Sequence, residues 1–316
     1  MKSKIIKHIK AHGPLSLADY MAMCLYDPKG GYYTHKNPFG KEGDFITAPE
    51  LTPLFGEMLG LWVADTWAQM AKPEAFNLIE LGPGRGVLAA DMLRAISKAA
   101  PACLAACHLH LVEISPHLKA LQAKTLQEAP CPVTWHQAIT TTPQKNSIVI
   151  GNELLDALPV NQYQKGDDGL YYERLVTLKN NELTCTLAPK ASPINPPHKL
   201  DVIEESPAMN TLLQQIKEHL KNGIALFLDY GTHVADNLTN GDTLQAIRNH
   251  RYEDIFASPG EADLTWHIPF QHIIDILGTG CKLTDMGLFL TELGLPVRAE
   301  QAHRAATSSQ HKEFIE

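Results

Sequence analysis

The sequence contains no long hydrophobic run, few cysteines and no excess of positive charge. Its 316 residues include 6 cysteines, and 27 Lys and Arg against 35 Asp and Glu give a formal net charge of −8. The apolar run at residues 223–230 is far shorter than the roughly 18 residues that a membrane-spanning helix needs. The negative charge argues against duplex nucleic acid as a partner, because binding to phosphates requires a basic surface. We therefore expect neither membrane insertion nor nucleic-acid binding.

The sequence also lacks motifs that identify several other classes of protein. No two cysteines form a Cys-x-x-Cys pair, and the spacing of Asp263, His267 and His272 matches no metal-ligand signature, so no metal site is predicted. The absence of a Walker loop and of a Gly-x-Ser-x-Gly elbow argues against a nucleoside triphosphatase and a serine hydrolase. Residues 1–12 lack a continuous apolar segment, so neither a secretory nor a transit signal is expected. Together with free thiols, these features predict a cytoplasmic protein.

Short apolar runs alternate with helical patterns through much of the chain. The predicted strands are residues 76–81, 109–112, 133–135, 147–150 and 223–228, and the predicted helices between or before them are 87–99, 116–127 and 207–221. Strands that are separated by helices form right-handed βαβ units and a parallel sheet. The sequence therefore predicts an α/β core that comprises residues 71–160 and 201–316, with a helical region at its C-terminal end.

Two other segments differ in pattern from this core. Residues 1–70 indicate an N-terminal helical lid, in which Ser16 and Asp19 form a capping pair and residues 51–70 form a largely buried helix. Residues 161–187 contain two turn clusters between three short strand-like segments, which predicts an antiparallel insert. A proline-rich linker follows it, so the insert and linker are assigned to residues 161–200.

A glycine-rich loop (residues 80–86) lies between the first predicted strand of the core and the following helix. It reads Glu80-Leu81-Gly82-Pro83-Gly84-Arg85-Gly86. Glycines allow the backbone to approach a ligand closely, and a helix N-terminus offers unpaired amides. A dinucleotide-binding fingerprint has its third glycine three residues after the second, whereas here the interval is two. This spacing favours the nucleoside–sulfonium pocket of S-adenosylmethionine methyltransferases, although a structural tight turn would also explain the loop.

Acidic residues end two further predicted strands. Glu113 is placed where a carboxylate can accept hydrogen bonds from both hydroxyls of a ribose, or it is a solvated strand end. Asn152, Glu153 and Asp156 follow the strand at 147–150, at the edge where open α/β sheets bind ligands. A carboxylate there can hold a cationic nucleophile and accept its proton, so all three residues are catalytic candidates. Alternatively, Asn152 caps a short helix and Asp156 lies in its first turn.

Several motifs together resemble the MidA family of class I S-adenosylmethionine-dependent methyltransferases. Besides the glycine-rich loop, they are Tyr26-Asp27-Pro28, Gly31-Tyr32-Tyr33, Pro38-Phe39-Gly40, Gly43 to Glu50, Phe55-Gly56-Glu57, Leu111 to Pro116, Asn152 to Pro159, Asp229-Tyr230-Gly231, Gly241 to Gln245 and Gly260 to Thr265. The mitochondrial members of the family are complex I assembly factors that dimethylate an arginine. The resemblance implies a class I methyltransferase, Rossmann-like α/β fold with a mostly parallel sheet, and S-adenosyl-L-methionine as cofactor.

The resemblance also implies roles for individual residues. It makes Gly82, Gly84, Gly86 and Glu113 cofactor contacts, to which we add Glu80, Pro83, Gln137 and Asn152 as candidates. It makes residues 43–50 a flap over the site, with Gly43, Asp44, Phe45, Thr47 and Glu50 as candidate residues; a capped turn would also explain Asp44 and Thr47. His267 is either a polar wall of the substrate cleft or a structural histidine.

The chain departs from the family pattern in two places. Pro269 stands where the family usually has an acid, which puts a role for that acid in doubt. The family's final strand is not found after residues 295–298, so either the sequence is truncated or the strand is absent, which would leave an exposed edge of the sheet.

The function predicted is therefore methylation of an arginine on a partner protein, with a homodimer left open. The alternatives are a non-catalytic assembly factor that binds the cofactor and, disfavoured by the glycine spacing, a nicotinamide dehydrogenase.

Overall fold

A computed structural model describes residues 1–35, 48–194, 200–220, 223–232 and 241–305. Its helices are α1 (Lys2–His12), α2 (Leu17–Tyr26), α3 (Tyr32–His35), α4 (Ala48–Leu51), α5 (Pro53–Gln69), α6 (Val87–Ala99), α7 (Pro101–Ala106), α8 (Pro116–Thr125), α9 (Pro207–His219), α10 (Phe270–Leu277), α11 (Met286–Glu292) and α12 (Leu295–Ala305). Its strands are β1 (Leu15–Ser16), β2 (Phe76–Leu81), β3 (Cys107–Val112), β4 (Val133–His136), β5 (Ser147–Asn152), β6 (Asn161–Lys165), β7 (Tyr171–Lys179), β8 (Glu182–Leu187), β9 (Val202–Glu205), β10 (Gly223–Leu228), β11 (Gly231–Thr232), β12 (Gln245–Arg248), β13 (Arg251–Glu253), β14 (Asp263–Thr265) and β15 (Ile268–Pro269). None of the described helices is long and apolar enough to cross a membrane.

The central sheet is parallel and has the strand order β10-β5-β2-β3-β4. Every strand predicted for the core is present, and β2 and β10 have the predicted bounds. Strand β10 is a continuous apolar run, whereas β2 is mostly apolar and ends at the glycine-rich loop. The order reverses between β2 and β5, which creates a ligand-binding position at the carboxyl ends of these strands. Among the described residues, no strand pairs with the outer side of β10.

Two layers of helices cover the sheet, and α5 belongs to one of them. Neighbouring residues of a strand point to opposite faces, so Leu78 packs with α5 and α6 whereas Ile79 packs with Ile216 of α9. The axes of α5 and α6 lie close together at Gly60, where an added Cβ would be 2.6 Å from the carbonyl oxygen of Met92. This helix of the predicted lid is therefore part of the sandwich.

The remainder of the N-terminal region packs in a second hydrophobic core. Helix α2 begins as predicted, with the Ser16 hydroxyl accepting from the amide of Asp19 at 3.0 Å, and it extends to Tyr26. The Asp19 carboxylate in turn accepts from the Ser16 hydroxyl at 2.8 Å. Ile5 and Leu17 are fully buried in the same hydrophobic cluster as Trp266, so the N-terminal helices share a core with the segment around β14.

The antiparallel insert is present, and its sheet also includes strands from outside the predicted segment. Strand β6 pairs with β7, and β7 pairs with β8. Strand β9, which ends at Glu205, pairs with β6, and β1 pairs with β7. The sheet therefore continues past residue 200, and the division of the chain into domains stays a prediction.

The C-terminal region contains helices α10, α11 and α12, as predicted, and also strands that the sequence did not predict. Strands β13, β12 and β14 form a three-stranded antiparallel sheet, and β11 pairs with β15. These strands have two to four residues each, too few to produce a recognisable alternation. One of them, β14, carries acidic Asp263 into the cavity described next.

Candidate active site

A cavity of about 570 Å³ lies at the carboxyl ends of the central strands. Its lining brings together most of the residues that the sequence predicted, namely Glu50, Glu80, Gly82, Pro83, Gly84, Glu113, Asn152, Glu153, Asp156 and His267. Gly86 and Gln137 are not part of the lining, and Gln137 is exposed to solvent after β4. The predicted flap residues Gly43, Asp44, Phe45 and Thr47 lie outside the described residues.

The glycine-rich loop has a backbone that requires glycine. Gly82, Gly84 and Gly86 have φ values of 63°, 51° and 80°, in the left-handed region that L-residues rarely adopt. An added Cβ at Gly82 would be 2.9 Å from Cδ1 of Leu154. Gly86 is the N-cap of α6 and therefore shapes the loop, although it does not line the cavity. The loop thus exposes main chain to the cavity at the start of a helix.

Glu80 places a carboxyl group in an almost water-free environment. The residue is 3% exposed, and burial raises its pKa to about 8. Its Oε2 atom is buried and has no hydrogen-bond partner among the described residues. A buried polar atom without a partner is costly, so this oxygen is available to a donor on a bound ligand.

Glu113 is held by a hydrogen-bond network that the sequence did not predict. Its Oε1 accepts from the amide of Ser115 at 2.7 Å, and its Oε2 accepts from Nε2 of Gln122 at 3.0 Å. Gln122 is fully buried; its Nε2 also donates to the carbonyl of Gly84 at 2.8 Å, and its Oε1 accepts from Nε1 of Trp135 at 3.0 Å. One side chain therefore connects the glycine-rich loop to the acid that ends β3. The only sequence signal was a polar residue on the buried face of α8.

The segment after β5 is a turn, so the expectation of a short helix capped by Asn152 is wrong. The amides of Leu154 and Leu155 donate to Oδ2 of Asp229, at 3.1 and 2.8 Å, and Asp229 follows β10. Because the cap comes from a distant strand, the local sequence did not reveal it. Glu153 has a φ of 47°, a strained value that is typical of functional turns.

Three carboxyl groups at this turn have raised pKa values. Burial raises the pKa of Glu153 to about 7, against hydrogen bonds from Asn152 and from the amide of Ala48. Burial, together with the carboxyl groups of Asp229 and Asp263, raises the pKa of Asp156 well above its usual range. The pKa of Asp229 is raised to about 6, again by burial. Such a cluster favours either a bound proton or a bound cation.

Helix α4 connects the cavity wall to the glycine-rich loop. Glu50 accepts a bidentate pair from Arg85, with Nε donating to Oε1 at 2.9 Å and Nη2 donating to Oε2.

His267 follows β14, is exposed, and has its backbone amide fixed by the Thr243 hydroxyl at 2.9 Å. Tyr26, Tyr33 and Asp263 line the cavity as well, although the sequence gave none of them a role in the site.

Comparisons with known proteins agree with this arrangement. The sequence profile of a family of S-adenosyl-L-methionine-dependent methyltransferases matches residues 58–288. The chain is 33% identical to the Mus musculus protein named protein arginine methyltransferase NDUFAF7, mitochondrial, over 94% of this chain and 75% of the relative. The Drosophila melanogaster homologue is 32% identical, over 93% of this chain and 74% of the relative. A Burkholderia thailandensis crystal structure bound to S-adenosyl-homocysteine has a TM-score of 0.84 at 27% identity, and the match covers 99% of this chain and 84% of that one.

The cavity fits the cofactor of this family. S-adenosyl-L-methionine carries a ribose and a positively charged amino group, and the cavity offers the carboxylate of Glu113 and the unpaired oxygen of Glu80. The glycine-rich loop leaves its main chain uncovered beside both residues. The family match, the relatives and the fold agree: the chain belongs to this family of S-adenosyl-L-methionine-dependent methyltransferases, the MidA-type family that its motifs resemble.

Proposed function

We propose that the chain transfers a methyl group to an arginine side chain of a partner protein. The observation that carries the proposal is that half-buried Glu153 and buried Asp156 line the same cavity as the glycine-rich loop. A guanidinium is cationic at any physiological pH, and carboxyl groups in a poorly solvated site favour such a partner. The names of the relatives, which are protein arginine methyltransferases, support the same substrate class.

The cofactor would be held by the residues at the ends of β2 and β3. Glu113 would accept hydrogen bonds from the ribose hydroxyls, and Oε2 of Glu80 would accept one from the amino group. Gly82, Pro83 and Gly84 would give the cofactor close access to main chain, while Gly86 would shape the turn. When bound, S-adenosyl-L-methionine supplies a methyl group on a positively charged sulfur. Gln137, which is exposed and outside the lining, is the candidate contact with the least support.

Glu153 is the residue that we propose as proton acceptor. A guanidinium nitrogen that gains a methyl group must lose a proton, and a carboxylate within hydrogen-bond reach can take it. A pKa of about 7 is suited to this role near neutral pH. Asn152, whose Nδ2 lies 3.4 Å from Oε1 of Glu153, would orient the carboxylate, and Asp156 would hold the positive charge of the substrate.

The segment before α5 would close the site. Glu50 is paired with Arg85 of the glycine-rich loop, and the amide of Ala48 donates to Glu153. The end of the proposed flap therefore touches both the cofactor side and the substrate side of the cavity. His267, which also lines the cavity, would form part of the substrate wall.

The proposal is tested by transfer of a tritiated methyl group from S-adenosyl-L-methionine into the proteins of a lysate from cells that lack the enzyme. Glu153→Gln should bind S-adenosylhomocysteine as the parent does, but its transfer rate should fall by about 100-fold or more. Asp156→Asn is the companion variant, and Glu205→Gln, at an exposed acid that ends β9, is the matched control.

The outcomes separate the assigned roles. Full transfer by Glu153→Gln with loss in Asp156→Asn would move the proton acceptor to Asp156. Tight cofactor binding without labelled protein in any version would favour a non-catalytic assembly factor instead.

We also propose a cytoplasmic location and leave a homodimer as a prediction. All six cysteines are free, and three of them are buried, which suits a reducing compartment. Fractionation of the source cells with an antibody against the chain tests the location, and sedimentation analysis tests the oligomeric state.

A further inference from the structure

Asp263 adds a carboxylate to the cavity besides Glu153 and Asp156, and it comes from a part of the chain far from β5. It begins β14, which pairs antiparallel with β12, and the residue is 5% exposed. It lines the same cavity as Glu153 and Asp156, and its charge contributes to the raised pKa of Asp156. The carboxyl groups of Asp156 and Asp263 are therefore close enough to interact.

Tyr33 fixes the carboxylate of Asp263. The phenol oxygen lies 2.9 Å from Oδ1 and 3.0 Å from Oδ2, so its single hydrogen is shared between the two carboxylate oxygens. Desolvation, followed by the Asp263 charge, raises the pKa of Tyr33 well above its usual value, so the phenol keeps its proton and remains a donor. The ring of Tyr33 stacks on that of Tyr26 with centroids 5.8 Å apart, and its carbonyl accepts from the Ser115 hydroxyl at 3.1 Å.

These contacts connect Asp263 to the cofactor side of the cavity. The amide of Ser115 donates to Glu113, the proposed ribose acid, and its hydroxyl holds the backbone of Tyr33. The carboxylate of Asp263 is thus oriented by the segment that also carries the cofactor contacts. A side chain that only filled space would not need both of its oxygens aligned.

We propose that Asp263 binds the substrate and that, together with Asp156, it pairs with the guanidinium of the target arginine, while Tyr33 is a positioning residue for it. This inference rests on the proposed arginine specificity and names the groups that create it. A guanidinium has five N–H donors in a planar fork and can satisfy several carboxylates at once, whereas a lysine ammonium has three donors on one atom. The site should therefore select arginine over lysine.

The direct test is binding of Nα-acetyl-L-arginine amide to the protein saturated with S-adenosylhomocysteine, followed by NMR titration. The parent should bind this probe and should bind the lysine analogue at least about 10-fold more weakly. Asp263→Asn should weaken binding of the arginine probe by about 10-fold or more, and Tyr33→Phe by about 3-fold. Asp168 and Tyr172 provide a matched control pair, because the Tyr172 phenol donates to Asp168 at 2.7 Å in the insert. Asp168→Asn and Tyr172→Phe should leave the affinity for the arginine probe unchanged.

A second readout separates substrate binding from structural damage. In the labelling assay, Tyr33→Phe should raise the lysate concentration that gives half the maximal rate, with the maximal rate and the affinity for S-adenosylhomocysteine within about twofold of the parent. If Asp263→Asn fails to bind S-adenosylhomocysteine, Tyr33→Phe decides the question, because it leaves the carboxylate in place.

Unchanged probe affinity in Tyr33→Phe and in a folded Asp263→Asn would overturn the inference, as would a parent protein that does not distinguish the arginine probe from the lysine probe. If the parent binds the probe through Asp263 but labels no protein, the proposed function fails and the binding inference stands. If all variants methylate arginine with the same half-saturation, only the inference fails.

Discussion

Removal of the Glu113 carboxylate should weaken the binding of the cofactor. In Glu113→Ala, the ribose hydroxyls of the cofactor would lose two charge-assisted hydrogen bonds. A loss of about 2–4 kcal/mol is expected for such a pair. At about 1.4 kcal/mol per factor of ten, this corresponds to a dissociation constant for S-adenosylhomocysteine that is about 30-fold to 1,000-fold higher.

The structure also predicts what the same substitution does to the unliganded protein. The amide of Ser115 and Nε2 of Gln122 would lose an acceptor, although Gln122 keeps its bond to the Gly84 carbonyl. Each buried donor left unpaired costs about 1–3 kcal/mol unless water reaches it, so the unfolding temperature should fall as well. Titration calorimetry must therefore be done at a temperature where circular dichroism shows the variant to be folded.

Two further variants sharpen this test. Gln122→Leu removes one hydrogen bond to Glu113 but leaves its charge and the bond from Ser115, so the dissociation constant should rise by only about 3-fold to 10-fold. Glu128→Ala removes an exposed acid that follows α8 and should leave the dissociation constant unchanged. A folded Glu113→Ala protein with the affinity of the parent would refute the ribose contact.

Three other predictions follow from the same site. Gly84→Val should weaken binding of S-adenosylhomocysteine by at least about 100-fold in a folded protein, because a branched residue is strained at a φ of 51°. If titration calorimetry gives this variant the same affinity as the parent, the cofactor binds elsewhere. At low substrate concentration, the transfer rate should rise between about pH 6 and pH 8, because Glu153, with its pKa raised to about 7, must lose its proton to act; a rate that falls over this range would exclude it as the base. Glu80 has a pKa of about 8 in the folded protein against 4.5 normally, so between these pH values the folded protein binds a proton that the unfolded chain has lost. The stability that this group contributes is fully present below about pH 4.5 and is lost as the pH rises to about 8, by up to about 1.4 kcal/mol per pH unit. Urea unfolding of the parent and of Glu80→Gln at about pH 5 and pH 8 should show that the free energy of unfolding of the variant depends less on pH.

The sequence could predict the parts of the fold that depend on local pattern. Strand β10 is a continuous apolar run and β2 is a mostly apolar one, and the glycine-rich loop combines a strand end, left-handed glycines and a helix start within seven residues. The relation among Glu80, Glu113 and Glu153 follows because parallel strands end at one edge of the sheet.

Contacts between distant segments could not be predicted in this way. Asp229 follows β10 and accepts from a backbone amide of the turn after the neighbouring strand β5. Gln122 of α8 bonds both the Gly84 carbonyl and Glu113, two groups that are far apart in sequence. Asp263 reaches the cavity on a three-residue strand that has no periodicity of its own. Each of these residues has ordinary local surroundings, and its role exists only after the chain has folded.

The most direct test of the central claim is to identify the amino acid that receives the methyl group. Protein labelled by the parent enzyme and tritiated S-adenosyl-L-methionine should be hydrolysed completely and its amino acids separated by chromatography. The arrangement of Glu153, Asp156 and Asp263 around one cavity predicts that the label elutes with methylated arginine and is absent when Glu153→Gln is used. Label in methyl-lysine, or in a carboxyl ester that is lost in base, would contradict a site built to hold a guanidinium.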